Sequence, residues 1–169
     1  MHLLQSFSVP RPPYFTIDEF VAAMTQRNRP GMQELLDEHR DLFQTAAGSK
    51  TNHQAWPGGY WDHITECLNL ALTQFTLWDA MGREPPYVPQ MAFEVLFVHD
   101  LEKPWKYIPD ALCPIPVPEL NTKPQRAAFR LELLAWYDIR FTRDQQNALR
   151  YAEGELDDYN ANARVMGPL

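Results

Sequence analysis

One periodicity constrains this chain more than any other feature. After Tyr60, the residues Ile64, Leu68, Ala71, Phe75 and Trp78 recur at spacings of three and four. That spacing lays apolar side chains along one face of an α-helix, whereas a half-buried strand would alternate. The stretch therefore predicts a long buried helix, with His63 beside its apolar stripe in the first turn and a half. No other segment alternates like a sheet. The run "QMAFEVLFVHDLEK" (90–103) is short enough for a strand, but Met91, Val95 and Val98 also fit a helix, and a helix is predicted. The expected fold class is all-α.

The remaining segments fit that class. Residues 1–15 are proline-rich and expected to be extended. Thr16, with Glu19 three positions on, reads as a capping box opening a helix. After Pro30, "GMQELLDEHRDLFQ" predicts a single second helix with Met32, Leu35, Leu36 and Phe43 on one side. His39 lies there among charges and reads as a solvated surface histidine. The stretch 45–59 is a loop by composition, and "MGREPPYVP" (81–89) is a break. Residues 108–125 carry Pro109, Pro114, Pro116, Pro118 and Pro124, which predicts a long irregular connection of the kind that often carries function. A helix is predicted near 125–139, with Phe129, Leu133 and Trp136 as its seam and Leu134 alongside. Thr142 caps a last helix that Gly154 closes. Five to seven helices without repeats are expected.

The 169 residues suit one domain. Residues 1–45 read as an N-terminal extension with helices, and 46–169 as the main compact unit, its closing helix wanting. The net charge of −7 argues against a broad nucleic-acid face, which needs clustered cations. It leaves room for a pocket that takes a small phosphorylated ligand. Cys67 and Cys113 sit in no CxxC or CxxH pattern, so a zinc finger or thioredoxin-like site is not expected. No leader-like start and no run of membrane-spanning length is visible, so a cytoplasmic protein is expected.

Three of the five histidines fall in two segments, "HQAWPGGYWDH" (53–63) and "FVHDLEK" (97–103). An aspartate directly after "VLFV" is costly to bury without a cationic partner or a metal. His99 and Asp100 from one helix end, with His63 from the preceding helix, make a plausible nitrogen–oxygen site for a divalent metal. A hydrogen-bonded core histidine accounts for the same spacing about equally well.

Together these segments resemble the HD-domain superfamily of metal-dependent phosphohydrolases. Members carry a histidine and an aromatic ahead of a Gly-Gly pair that runs into the first metal histidine. An HD pair follows, with a lysine three residues after the aspartate. The matching positions are His53, Gly58, Gly59, His63, His99, Asp100 and Lys103, and the likeness extends over roughly residues 45–169. It implies a single-domain HD-type helical bundle. His63, His99 and Asp100 would be ligands of a divalent ion (Mn, Co, Fe, Zn or Mg). The chain departs from the family after the HD pair, since no histidine follows His99, and "YAEGE" stands where many members carry a His pair. One metal is therefore favoured, with Glu153 and Glu155 as spare carboxylates. The closing aspartate is not clearly matched: Asp158, beside Asp157, is the candidate. Alternatively, water completes the site, or the chain is shortened and inactive.

The implied function is hydrolysis of a nucleotide or other small phosphate ester by metal-activated water. The alternative is an impaired module that binds a nucleotide or a protein. Lys103 would face the phosphate, although a lysine at a helix C-terminus also satisfies the macrodipole. His53 would position water or phosphate, or be held by a local hydrogen bond. Glu102 is a candidate for proton transfer, with an ion pair to a neighbouring lysine as the ordinary alternative. Gly58 and Gly59 would let backbone N–H groups approach an anion. Trp105 and Lys106 would stack on a base and contact phosphate, with ordinary packing as the preferred alternative. No membrane partner is expected, long nucleic acid is disfavoured, and a homo-oligomer is a further expectation.

Overall fold

Thr16 begins the ordered helices as its sequence context requires. Its side chain accepts from the Glu19 N–H, and the Glu19 carboxylate accepts from the Thr16 N–H at 2.8 Å. In the computed structural model, residues 13–51, 54–85, 87–107 and 120–152 are described. His53, Asp158, the late glutamates and Cys113 lie outside them, as does Gly154. Thr16 caps α1 (Ile17–Ala23), which is followed by α2 (Arg29–Glu38), α3 (Arg40–Thr45), α4 (Gly59–Ala80), α5 (Pro89–Val98), the four-residue α6 (Lys103–Lys106), α7 (Lys123–Trp136) and α8 (Arg143–Tyr151). Among the described residues there are no strands, and the fold is all-α.

The core runs through the whole set of helices without a seam. Ile17, Phe20, Leu35, Phe43, Ile64, Leu68, Phe97, Leu134 and Leu149 belong to one buried cluster. The helices before residue 46 thus share a core with those after it. Helix α5 packs against α4, α8 and α1. Its Phe93, Val95, Phe97 and Val98 are all buried, which is why its apolar run reads nearly continuously.

Three expectations need correction. The single helix expected over 31–44 breaks at His39, where φ −109° and ψ 13° leave the helical region. His39 is not a solvated residue. Its Nε2 lies 2.8 Å from the Tyr137 hydroxyl, and its ring meets Trp105 edge-on at 4.8 Å. Burial pushes its pKa down, with the Glu38 charge opposing. Second, α4 is buried only in its first half. Ile64 and Leu68 are fully enclosed, whereas the later stripe residues Ala71, Phe75 and Trp78 are only half-buried. In the second half, Phe75 packs edge-on against Trp78, Tyr87 and Phe93. Third, the seam of α7 is rotated: Trp136 is 80 % exposed, and Arg130 and Leu134 face inward. The helix also starts at Lys123, because Thr122 and Gln125 form a capping box with Pro124 in the first turn.

A second polar feature lies inside the core. Glu94 is 0 % exposed, with Oε1 accepting from the Thr25 N–H and hydroxyl. Its Oε2 accepts from the side-chain amides of Asn28 and Gln145. This carboxylate joins the α1–α2 turn, α5 and α8. Asn28 in turn exchanges two hydrogen bonds with the Arg140 backbone.

Candidate functional site

The site lies where α4 and the end of α5 meet. α4 begins after a tight turn at Gly58, whose φ of 84° favours glycine. The Gly58–Gly59 pair does not present its N–H groups to an anion. Gly58 N–H donates to the Thr45 carbonyl, and Gly59 N–H to that of Trp56. A Cβ on Gly59 would lie 2.0 Å from the Gln54 carbonyl oxygen, so the close approach this glycine permits is to the chain itself. This turn sets His63 in the second turn of α4, facing α5.

His99 caps the C-terminus of α5, and Asp100 follows in the turn before α6. The donor atoms converge. His63 Nε2 is 3.0 Å from Asp100 Oδ2, His99 Nε2 is 3.2 Å from the same oxygen, and the two Nε2 atoms are 3.2 Å apart. Donors held about 2.1 Å from one ion are separated by about 3.0 Å at right angles and about 3.4 Å at tetrahedral angles. The observed triangle falls in that interval. His99 Nδ1 lies 2.7 Å from the Leu96 carbonyl, which can only accept, so Nδ1 carries the proton. In the neutral ring the Nε2 lone pair then faces the carboxylate. Two lone pairs meeting at that distance repel unless a proton or a cation lies between them. The fixed Nδ1–H also resembles the outer hydrogen bond that orients metal-bound imidazoles.

The electrostatics of the ion-free site agree. The hydrogen bond to Asp100, followed by that to Cys67, pushes the His63 pKa up to about 9. Burial presses His99 toward its neutral form, and the Asp100 carboxylate outweighs it, so the net shift is upward. Burial opposes charge on Asp100, but His63, His99 and Lys103 hold it well below the usual carboxylate range. Lys103 Nζ contacts Asp100 Oδ2 at 2.5 Å.

Other expected site residues stand elsewhere. Glu102 is 2 % exposed and accepts from Arg130 Nη1 at 2.9 Å, with Arg126 Nε at 3.6 Å. The same Arg130 Nη1 donates to the His99 carbonyl. Glu102 thus forms an ion pair, but with arginines of α7 rather than with a neighbouring lysine, and α7 braces the turn through it. Trp105 meets His39, Phe43 and Phe129 in edge-to-face contacts, which commit its ring to packing. Lys106 Nζ lies over the Tyr107 ring, 5.3 Å from its centroid. The sequence reading missed Cys67, whose Sγ is 3.8 Å from His63 Nε2. The signal for it was the i, i+4 spacing on one helix face.

An open cavity of about 1050 Å³ lies between α7 and α8, with Leu131, Leu134 and Leu149 on its walls and Arg126, Arg130 and Arg150 among its cations. His63, Cys67, His99 and Asp100 do not line it, and among the described residues Arg130 and Arg126 link its wall to the His99–Glu102 turn. The histidine–aspartate cluster and this cavity are thus separate features of the described residues. Among the described residues, no helix is long and apolar enough to cross a membrane. Compared with known proteins, the chain matches no family model, no curated protein and no solved structure.

Proposed function

We propose that the chain is a metal-dependent phosphohydrolase of HD type acting on a nucleotide or other small phosphate ester. The observation that carries this reading is the triangle of His63 Nε2, His99 Nε2 and Asp100 Oδ2, with edges of 3.0, 3.2 and 3.2 Å. The donor set fits one divalent ion of the Mn, Co, Fe, Zn or Mg group. When bound, such an ion polarises a phosphate oxygen and lowers the pKa of the water that attacks it.

The chain's own residues do the rest. His63 and His99 supply imidazoles from two helices, and the Leu96 carbonyl fixes the His99 ring. Asp100 supplies a carboxylate in a largely water-excluded turn. Lys103, already on Asp100, has further N–H donors to turn toward a phosphate oxygen and offset its growing charge. Glu102 and Arg130 are positioning residues that hold the turn. A cytoplasmic location and a homo-oligomeric state remain parts of the same reading.

The test is a hydrolysis panel of nucleoside mono-, di- and triphosphates and cyclic nucleotides, with the full chain loaded separately with each metal. We expect turnover of at least one class, and loss of both turnover and bound metal in His99→Ala. A metal-loaded sample inert across the panel would overturn the enzyme and leave the binding-module reading. A sample that takes up no metal would sink both the ion and its chemistry.

A further inference from the structure

We infer that Cys67 is a thiolate ligand of the same centre and makes it selective for zinc-like ions over magnesium and manganese. This inference rests on the metal-centre reading above and deepens it. His63 and Cys67 are four residues apart on α4, so both side chains project from one face toward His99. Donor atoms of His63, Cys67 and His99 all lie within 4.8 Å of one another. A sulfur and a nitrogen bound tetrahedrally to one zinc ion are separated by about 3.6 Å, given bond lengths near 2.3 and 2.05 Å. The observed Cys67 Sγ to His63 Nε2 separation is 3.8 Å. A thiol–imidazole hydrogen bond of this length is the competing account.

With Asp100, the centre offers two nitrogens, one sulfur and one oxygen. Such a set would hold an ion through up to four donors, and its soft sulfur would favour zinc, cobalt(II) or iron(II) over hard magnesium and manganese. On binding, the metal–sulfur bond forms and the thiol proton leaves to solvent. A zinc ion so held would have room for a fifth oxygen donor, from water or a phosphate.

The experiment is absorption spectroscopy of the full chain loaded with cobalt(II), as wild type, Cys67→Ser and Cys113→Ser. A near-ultraviolet thiolate-to-cobalt charge-transfer band should appear in wild type and Cys113→Ser and vanish in Cys67→Ser. The weaker visible cobalt bands should persist in all three. Zinc affinity should fall at least about tenfold in Cys67→Ser, with little change for manganese. X-ray absorption of the zinc-loaded wild type, which needs no substitution, should show a sulfur neighbour at about 2.3 Å. Visible cobalt bands without the charge-transfer band in wild type would overturn the thiolate and leave the phosphohydrolase intact. So would a band that survives in Cys67→Ser. Wild-type protein that binds no cobalt would overturn both.

Discussion

Replacing Glu94 by glutamine tests the buried network with almost no change of shape. The carboxylate receives four donors, two on each oxygen: the Thr25 N–H and hydroxyl on Oε1, and the Asn28 and Gln145 amides on Oε2. A glutamine must turn its own NH2 toward one of these pairs. Facing Thr25, it meets a backbone N–H that cannot reverse. Facing the other pair, it meets Asn28, whose amide is locked by two hydrogen bonds with Arg140. Either way at least one buried donor loses its acceptor, at about 1–3 kcal/mol per group. Glu94→Gln should therefore cost about 2–3 kcal/mol, and Glu94→Ala, which strands donors on both sides, about 3–5 kcal/mol. For a domain of this size each kcal/mol moves the Tm by roughly 2–4 °C, so falls of roughly 4–12 °C and 6–20 °C are expected. The assay is thermal unfolding of chelator-treated protein by far-ultraviolet circular dichroism. A glutamine variant that melts within 2 °C or so of wild type would refute the four-donor geometry.

Two further outcomes concern the site and the packing. In the ion-free protein, His63 is raised to about 9, so its contribution to stability is complete below about pH 6.5 and lost as pH rises through about 9. Asp100 is depressed, so its contribution is present above about pH 4 and lost in acid. Metal binding runs the other way for the histidines, because ligation needs them deprotonated. The Tm gain on adding zinc should thus grow between pH 6 and pH 9, and a gain independent of pH would contradict histidine ligation. Gly31→Ala ordinarily stabilises a helix by roughly 0.5–1 kcal/mol. Here the new Cβ would stand 2.0 Å from the Tyr137 carbonyl oxygen, so we expect destabilisation by about 1–3 kcal/mol, read as a lower urea midpoint at unchanged slope.

What the residues disclosed in advance follows physical lines. Helices were legible wherever a local rule sufficed: the stripe through Ile64 and Leu68, and the threonine caps at 16 and 142. For α5 the period leaves strand and helix open, and the lack of any other sheet-like segment decides for helix, as found. Errors arose where a tertiary contact overrode the local pattern. His39 looked solvent-facing among charges, yet Trp105 and Tyr137 draw it inward and break its helix. Trp136 looked like a seam residue, but Arg130 takes the inward face of α7 because Glu102 and the His99 carbonyl await it. His63, His99 and Asp100 were legible as a set, and the structure brings them together. Cys67 fits no cysteine pattern along the chain, and its relation to His63 shows only around the helix, at i, i+4. Glu94 gave no signal, since its partners lie 51 to 69 residues away in sequence.

Arg130 has a consequence for how the site opens. One guanidinium nitrogen reaches both the His99 carbonyl and Glu102, the residues on either side of Asp100–Leu101. The His99–Glu102 turn is therefore stapled from outside, by a helix that follows it by more than twenty residues. Fluctuations that would free a short turn in isolation must here also detach α7 or strand a buried carboxylate. The turn and α7 are thereby joined into one cooperative unit, so local opening of the His99–Asp100 backbone carries the cost of unlatching α7.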